Sequence, residues 1–223
     1  MKSIAEITHI AADRHGGLQT VQSRLFHPKE PSDLALISND RWLAGMTRCI
    51  FRAGLDWSLI DGKWQAYEAA LNDFDLDFCR SLTDEDLTTI GSRTDIVGNK
   101  AKLHSIPQNA AFLTGLEQEH PSLGAYFSAF GAENFSTLLM LLKKNGSRLG
   151  YPTACYFLRF MGVDGFVLGK DVVARLIAEH VIETSPTSPK ALQKVQDAFS
   201  AWRDERGYAF SEISGILALS IDA

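Results

Sequence analysis

The chain has 223 residues, 45% of them hydrophobic and 22% charged, enough to bury a core shared by one or two packed lobes. No apolar run approaches the roughly 18 residues that span a bilayer, and Met1-Lys-Ser-Ile-Ala-Glu-Ile7 lacks the apolar stretch of a secretory signal. A net charge of −5 excludes a strongly basic nucleic-acid binder, and three widely spaced cysteines exclude a disulfide framework, so a reducing cytoplasm is expected.

Helical periodicity governs the chain from end to end. A helical N-terminal arm leads into a connector, residues 24–38, punctuated by Pro28 and Pro31. Residues 41–52 and 58–71 read as two helices joined at Gly54-Leu-Asp-Trp57. Thr83-Asp-Glu-Asp86 opens another with a capping box in which Asp replaces Glu. Residues 96–118 form a helix with a break near Pro107. Gly146-Ser-Arg-Leu-Gly-Tyr-Pro-Thr-Ala-Cys155 reads as a glycine-bearing turn between two helices, the second with Cys155, Leu158 and Met161 on one apolar face. Val167-Leu168 and Val172-Val173 are strand-like but too short to count, and Asp171 between them is an N-cap candidate. After a linker over 184–189, Leu192, Val195, Phe199 and Trp202 form a stripe opened by Thr187-Ser-Pro-Lys190.

The fold class is therefore all-α: a two-lobed helical bundle with a helix-hairpin-helix motif. One domain spans 1–223, with lobes over 60–140 and over 1–59 plus 141–223. Charge is uneven along it. From Leu142 to Leu176 six bases (Lys143, Lys144, Arg148, Arg159, Lys170, Arg175) stand against two acids, while acids cluster in 72–77 and 83–86. A hairpin with outward N–H groups beside Arg148 is a seat for phosphate.

The hairpin, with a carboxylate about twenty residues on at Asp171, resembles the helix-hairpin-helix DNA glycosylases. Met46-Thr-Arg-Cys-Ile-Phe-Arg-Ala-Gly-Leu-Asp-Trp57 and Asp95-Ile-Val-Gly-Asn-Lys-Ala-Lys-Leu-His-Ser-Ile106 narrow this to a resemblance with bacterial 3-methyladenine DNA glycosylase I. The resemblance implies a monofunctional hydrolase that flips an alkylated purine (3-methyladenine or 7-methylguanine type) out of the duplex and cleaves its N-glycosidic bond in base-excision repair. It implies Asp171 as the catalytic carboxylate, and Trp57, Trp42, Cys49 and Asp56 around the base. Arg148, Leu149, Gly150, Thr153, Lys144, Lys170, Asn99 and Lys100 would meet DNA, with Lys102 a further phosphate candidate.

The chain also departs from that pattern. The family's zinc-ligand block has no counterpart, so no metal or other cofactor is expected. The base-contacting glutamate falls on Cys49, and Asp56 is the nearest substitute. The superfamily's aspartate slot, counted back from Arg175, is Lys170, one residue before Asp171. Pro152 stands where bifunctional members carry a Schiff-base lysine, leaving Lys170 as the only nearby amine. The expected partner is double-stranded DNA with a damaged base, met by a monomer in the nucleoid-associated cytoplasm, with no membrane. A helix-hairpin-helix DNA-binding protein without catalysis is the alternative reading. Trp57 and Trp42 as core aromatics, and Asp171 as a helix cap, are the structural alternatives for those residues.

Overall fold

The computed structural model describes residues 1–221, and every regular element among them is helical. Short polar residues decide several starts. Ser3 and Thr83 open α1 (Ile4–His15) and α8 (Asp84–Gly91) with reciprocal capping boxes, the second as read from sequence. After α1 come α2 (Leu18–Gln22) and, inside the expected connector, α3 (Pro31–Ala35), which starts on its proline. The helix α4 (Asn39–Arg52) follows. Where one helix was expected over 58–71 there are two, α5 (Trp57–Gly62) and α6 (Trp64–Ala70), because Lys63 leaves helical geometry at φ −102°.

Next are α7 (Leu76–Ser81), α8, and the pair α9 (Lys100–Leu103) and α10 (Ser105–Glu119). Their break falls at His104, ahead of Pro107, which sits in the first turn of α10 where a missing N–H costs no intrahelical bond. α11 (Leu123–Ser128), α12 (Phe135–Asn145), α13 (Tyr151–Met161), α14 (Lys170–Ala178), α15 (Pro189–Arg206) and α16 (Phe210–Leu219) complete the chain. Ser188 caps α15, whose stripe residues Leu192, Val195, Phe199 and Trp202 are all buried. Val167 and Leu168 lie in the loop before α14 and pair with no strand.

Two features of this packing place the site. The first is α4, which lies against α13 on one side and α10 and α7 on the other. Gly45 permits the closeness to α13: a Cβ there would come 2.6 Å from the Sδ of Met161. Below this crossing Trp42, Phe127 and Phe157 form an aromatic core, with Trp42 and Phe127 centroids 4.8 Å apart. The second is closure of the termini, since α1 packs on α15 and α16, and α16 in turn on α14. The Lys2 amide donates to buried Glu179 at 2.6 Å and the Trp202 indole donates to the Lys2 carbonyl at 3.0 Å. No described helix is long and apolar enough to cross a membrane.

Candidate active site

The segment between α12 and α13 is held by one side chain. Buried Asn109, from α10, accepts from the Ser147 amide at 2.8 Å and donates to the Ser147 carbonyl at 3.1 Å. A side-chain amide that pairs with both groups of one peptide residue fixes that residue's position and orientation. Leu149 anchors the other side of the turn. Its side chain is 1% exposed and occupies the space a Cβ on Gly146 would need, 2.4 Å away. Arg148 between them adopts φ +60° and projects outward, exposed. Gly150 then caps α13 without a side-chain hydrogen bond, so the first amides of an eleven-residue helix stay open beside Arg148.

Next to this helix start is a cavity of about 310 Å³ lined by Cys49, Arg52, Gly54, Trp57, Thr153, Tyr156 and Phe160 among others. Its rim is a consequence of how α4 stops. Ala53 is extended, and Gly54 turns at φ +73°, a conformation that costs an L side chain about 1–2 kcal/mol, throwing the chain outward to Trp57. The end of α4 is sealed from beneath by Lys102, whose ammonium donates to the carbonyls of Phe51 at 2.9 Å and Ala53 at 2.6 Å. A cation on these orphan carbonyls satisfies them and opposes the negative end of the helix dipole. Burial lowers the Lys102 pKa, as does the nearby charge of Arg148.

Trp57 is 41% exposed and forms an aromatic wall with Tyr156 (5.4 Å) and Phe160 (5.8 Å), both edge-on to it. Tyr156 and Phe160 stand one helical turn apart on α13, off its buried Cys155–Leu158–Met161 stripe. The Arg52 guanidinium lies 4.9 Å from the Trp57 ring centre and 5.3 Å from that of Phe160. Cys49, 5% exposed, faces this cavity with a thiol pushed up to about 12 by burial, so it is neutral at any physiological pH.

The same wall borders a second cavity, about 330 Å³, which contains Lys170 and Asp171 along with Trp57, Tyr156, Arg159 and Phe160. Asp171 sits in the first turn of α14, two residues past the cap. Gly169 is the N-cap and makes no side-chain bond there. The Asp171 carboxylate, half-buried, makes no hydrogen bond or ion pair with a described residue, so no cap or salt bridge accounts for it. Burial keeps the Tyr156 phenol protonated, its pKa raised further by the Asp171 charge.

Several sequence expectations are corrected by this geometry. Trp42 is fully buried in the aromatic core and lines neither cavity. Asp56 is an exposed N-cap, accepting from the Ser58 amide at 2.9 Å, and lines neither cavity. Leu149 has only its backbone free for a ligand, its side chain being buried. Asn99 spends its side chain capping α9 at the Lys102 amide, and Lys102 itself is buried under α4. Lys100 lies in a separate cavity with Gly91 and His104. The basic face is thinner than the count implied. Buried Arg175 pairs with Glu179, and half-buried Arg159 covers Phe26, leaving Lys144, Arg148 and Lys170 exposed with Lys143 tied to the Thr187 carbonyl. Among the described residues no three of His, Cys, Asp and Glu converge to hold a metal ion.

Comparison with known proteins bears out the resemblance. Residues 38–138 match the family model described as methyladenine glycosylase. The 3-methyladenine DNA glycosylase I of Staphylococcus aureus, a structure concerned with 3-methyladenine recognition, superposes with TM-score 0.53 at 22% identity, over 62% of this chain and 80% of that one. The 8-oxoguanine DNA glycosylase of Methanocaldococcus jannaschii superposes with TM-score 0.57 at 18% identity, over 95% and 89%. That of Thermotoga maritima gives 0.56 at 16%, over 96% and 95%. No curated protein matches the chain. The fold is that of the helical DNA glycosylases.

Proposed function

We propose, for a chain whose residues 38–138 match the methyladenine glycosylase model and whose whole length follows the helical DNA glycosylases, that it is a monofunctional DNA N-glycosylase acting on a damaged purine. One observation carries the reading. Trp57 and Asp171 line a single cavity, which adjoins the Cys49–Arg52 cavity at the mouth of the hairpin. The open amides at the start of α13 and Arg148 grip backbone phosphate without reading sequence. The flipped base enters beside Trp57 and Tyr156, and the Asp171 carboxylate stabilises the oxocarbenium-like sugar as the glycosidic bond breaks or orients the attacking water.

The family match favours an alkylated purine of the 3-methyladenine or 7-methylguanine type. A second reading, an oxidised purine, is favoured by superposition of 95% of the chain on the M. jannaschii 8-oxoguanine enzyme, against 62% on the S. aureus structure. The test is release of free base from duplexes bearing each lesion. Asp171→Asn should reduce release by about 10²–10³ while leaving duplex binding in place, the range for loss of one preorganised electrostatic group. Borohydride should trap no covalent adduct, since Pro152 cannot form a Schiff base; an adduct would point to Lys170, which lines the same cavity as Asp171, and would overturn the monofunctional reading. Wild-type protein that frees no base from any of these duplexes would leave a DNA-binding protein without catalysis.

A further inference from the structure

Of the aromatic cavities, the one beside the hairpin contains an arrangement the reaction does not require. Arg48 and Arg52 share one carboxylate, Asp61. Arg52 gives it Nε at 3.0 Å and Nη2 at 2.6 Å, and Arg48 reaches it with Nη2 at 2.9 Å. Two guanidinium groups on one carboxylate leave a cation uncompensated. Arg52 is the one that lines the cavity; Arg48 instead lies over Trp64 at 5.1 Å. With both Asp61 contacts made by Nε and Nη2, the Nη1 amino group of Arg52 has no hydrogen-bond partner among the described residues, although the side chain is only 12% exposed. That guanidinium lies over one face of Trp57 and one face of Phe160, where it competes with any ligand cation for the ring.

The remaining polar lining is of the same kind. Thr153 brings a hydroxyl with no bonded partner and Tyr156 a phenol, Cys49 is a neutral thiol, and no carboxylate lines this cavity. Lys102 adds a further cation beneath the end of α4, while Asp56 is turned to its own helix cap. The site is an aromatic corner, Trp57 standing edge-on to Tyr156 and Phe160, with hydrogen-bond donors and a net positive wall. Purines alkylated at N3 or N7 are cations while still attached to DNA, and a like charge at contact distance in a half-buried site is strongly disfavoured.

We propose that Arg52 is the specificity-determining residue of the pocket and that it decides between the two lesion classes named above, selecting a neutral purine lesion that presents a ring carbonyl or other acceptor edge over an alkylated purine that carries a positive charge. The Nη1 group donates to the acceptor edge, and the shared Asp61 fixes the guanidinium plane against Trp57. This rests on the glycosylase reading for its substrate, but the pocket's preference is measurable without catalysis.

Two readouts test it. The first is single-turnover release from matched duplexes holding hypoxanthine, 8-oxoguanine or 7-methylguanine. The expected order places the neutral bases first, and Arg52→Gln should shift the neutral-to-cationic ratio toward the cation by about tenfold or more. Arg52→Lys keeps the charge and should keep the rejection of 7-methylguanine, and Arg48→Gln, which leaves Asp61 to a single guanidinium, should relax that rejection in part. The second is quenching of tryptophan fluorescence, taken as the difference between wild type and Trp57→Phe, by inosine and by 7-methylguanosine. Inosine should bind more tightly, and Arg52→Gln should narrow the gap. If no base is released but the quenching order holds, the catalytic reading fails and the pocket assignment stands. Preferential binding or release of the cationic probe by wild type, or a ratio that Arg52→Gln does not move while the variant keeps its circular dichroism, overturns the proposal.

Discussion

Trp57 and Trp42 stand fifteen positions apart and have opposite fates, which makes their substitution informative. Trp42 is wholly enclosed by Phe127 and Phe157, so Trp42→Ala opens a large void and should cost about 3–5 kcal/mol, read as a steep loss in chemical denaturation. Trp57 is partly solvent-facing and held by edge contacts, so Trp57→Ala should cost far less stability. Its loss should appear instead in discrimination of damaged from undamaged duplex, by about 1–3 kcal/mol, the worth of one base–aromatic stack. Equal destabilisation by the two variants would make Trp57 a core residue. From the chain alone the two tryptophans were separable only through the Ala53-Gly-Leu-Asp-Trp57 turn. Periodicity along residues 41–52 assigned Trp42 to a helix but not to its inward face. Tyr156 and Phe160 were legible in principle as an aromatic pair one turn apart and out of phase with the buried stripe. Arg52 was not, because its role depends on α5 folding back to present Asp61.

At the level of elements, the hairpin depends on a residue far from it in sequence. Asn109 lies in a run of small and apolar residues on α10, and nothing local shows that it pairs with Ser147. Asn109→Ala would orphan the partly buried amide and carbonyl of Ser147. It should cost about 1–3 kcal/mol and loosen the hairpin enough to weaken duplex binding. The direct contact is tested at Arg148, where the backbone matters. Its φ of +60° makes alanine a strained replacement, so Arg148→Gly removes the charge while suiting the turn. That variant should bind several unrelated duplexes more weakly by a similar factor and flatten the slope of log affinity against log salt by about one unit. An unchanged slope would take Arg148 off the phosphate backbone. The turn itself could be read from Gly146 and Gly150. Which of its neighbours point outward could not, since Leu149 is drawn in by packing against Gly146. The break between α5 and α6 at Lys63 was legible too, since Gly62, the last residue of α5, weakens a helix by about 1 kcal/mol relative to alanine.

For the molecule as a whole, the interior that carries Trp57 is closed by elements outside the region matching the methyladenine model, namely α1, α14, α15 and α16. These were readable as helices from their caps and stripes. Their mutual closure was not, since it rests on polar links between residues nearly 200 positions apart. Glu179 is the hub of that closure. It sits at the end of α14, the helix whose first turn carries Asp171, and accepts from the Lys2 amide and from Arg175, while Arg175 also donates to Ser220. Burial by itself pushes the Glu179 carboxyl up, but the Lys2 amide, the Lys2 ammonium and Arg175 outweigh it, and the folded pKa lies below the ordinary carboxylate value. A carboxylate lowered on folding contributes stability that is complete above its unfolded pKa, about 4.3, and is lost as pH falls from there through the folded value. The melting temperature of the wild type should therefore drop on acidification across that window. Glu179→Gln should melt lower at neutral pH, because buried Arg175 loses its counter-charge, a cost on the order of 3–5 kcal/mol when one partner of a buried pair is removed. Its melting temperature should also fall less steeply with acid than that of the wild type. Parallel acid profiles for the two proteins would mean that the termini are held by apolar packing alone, and that the Lys2–Glu179–Arg175 network only decorates the seam behind α14.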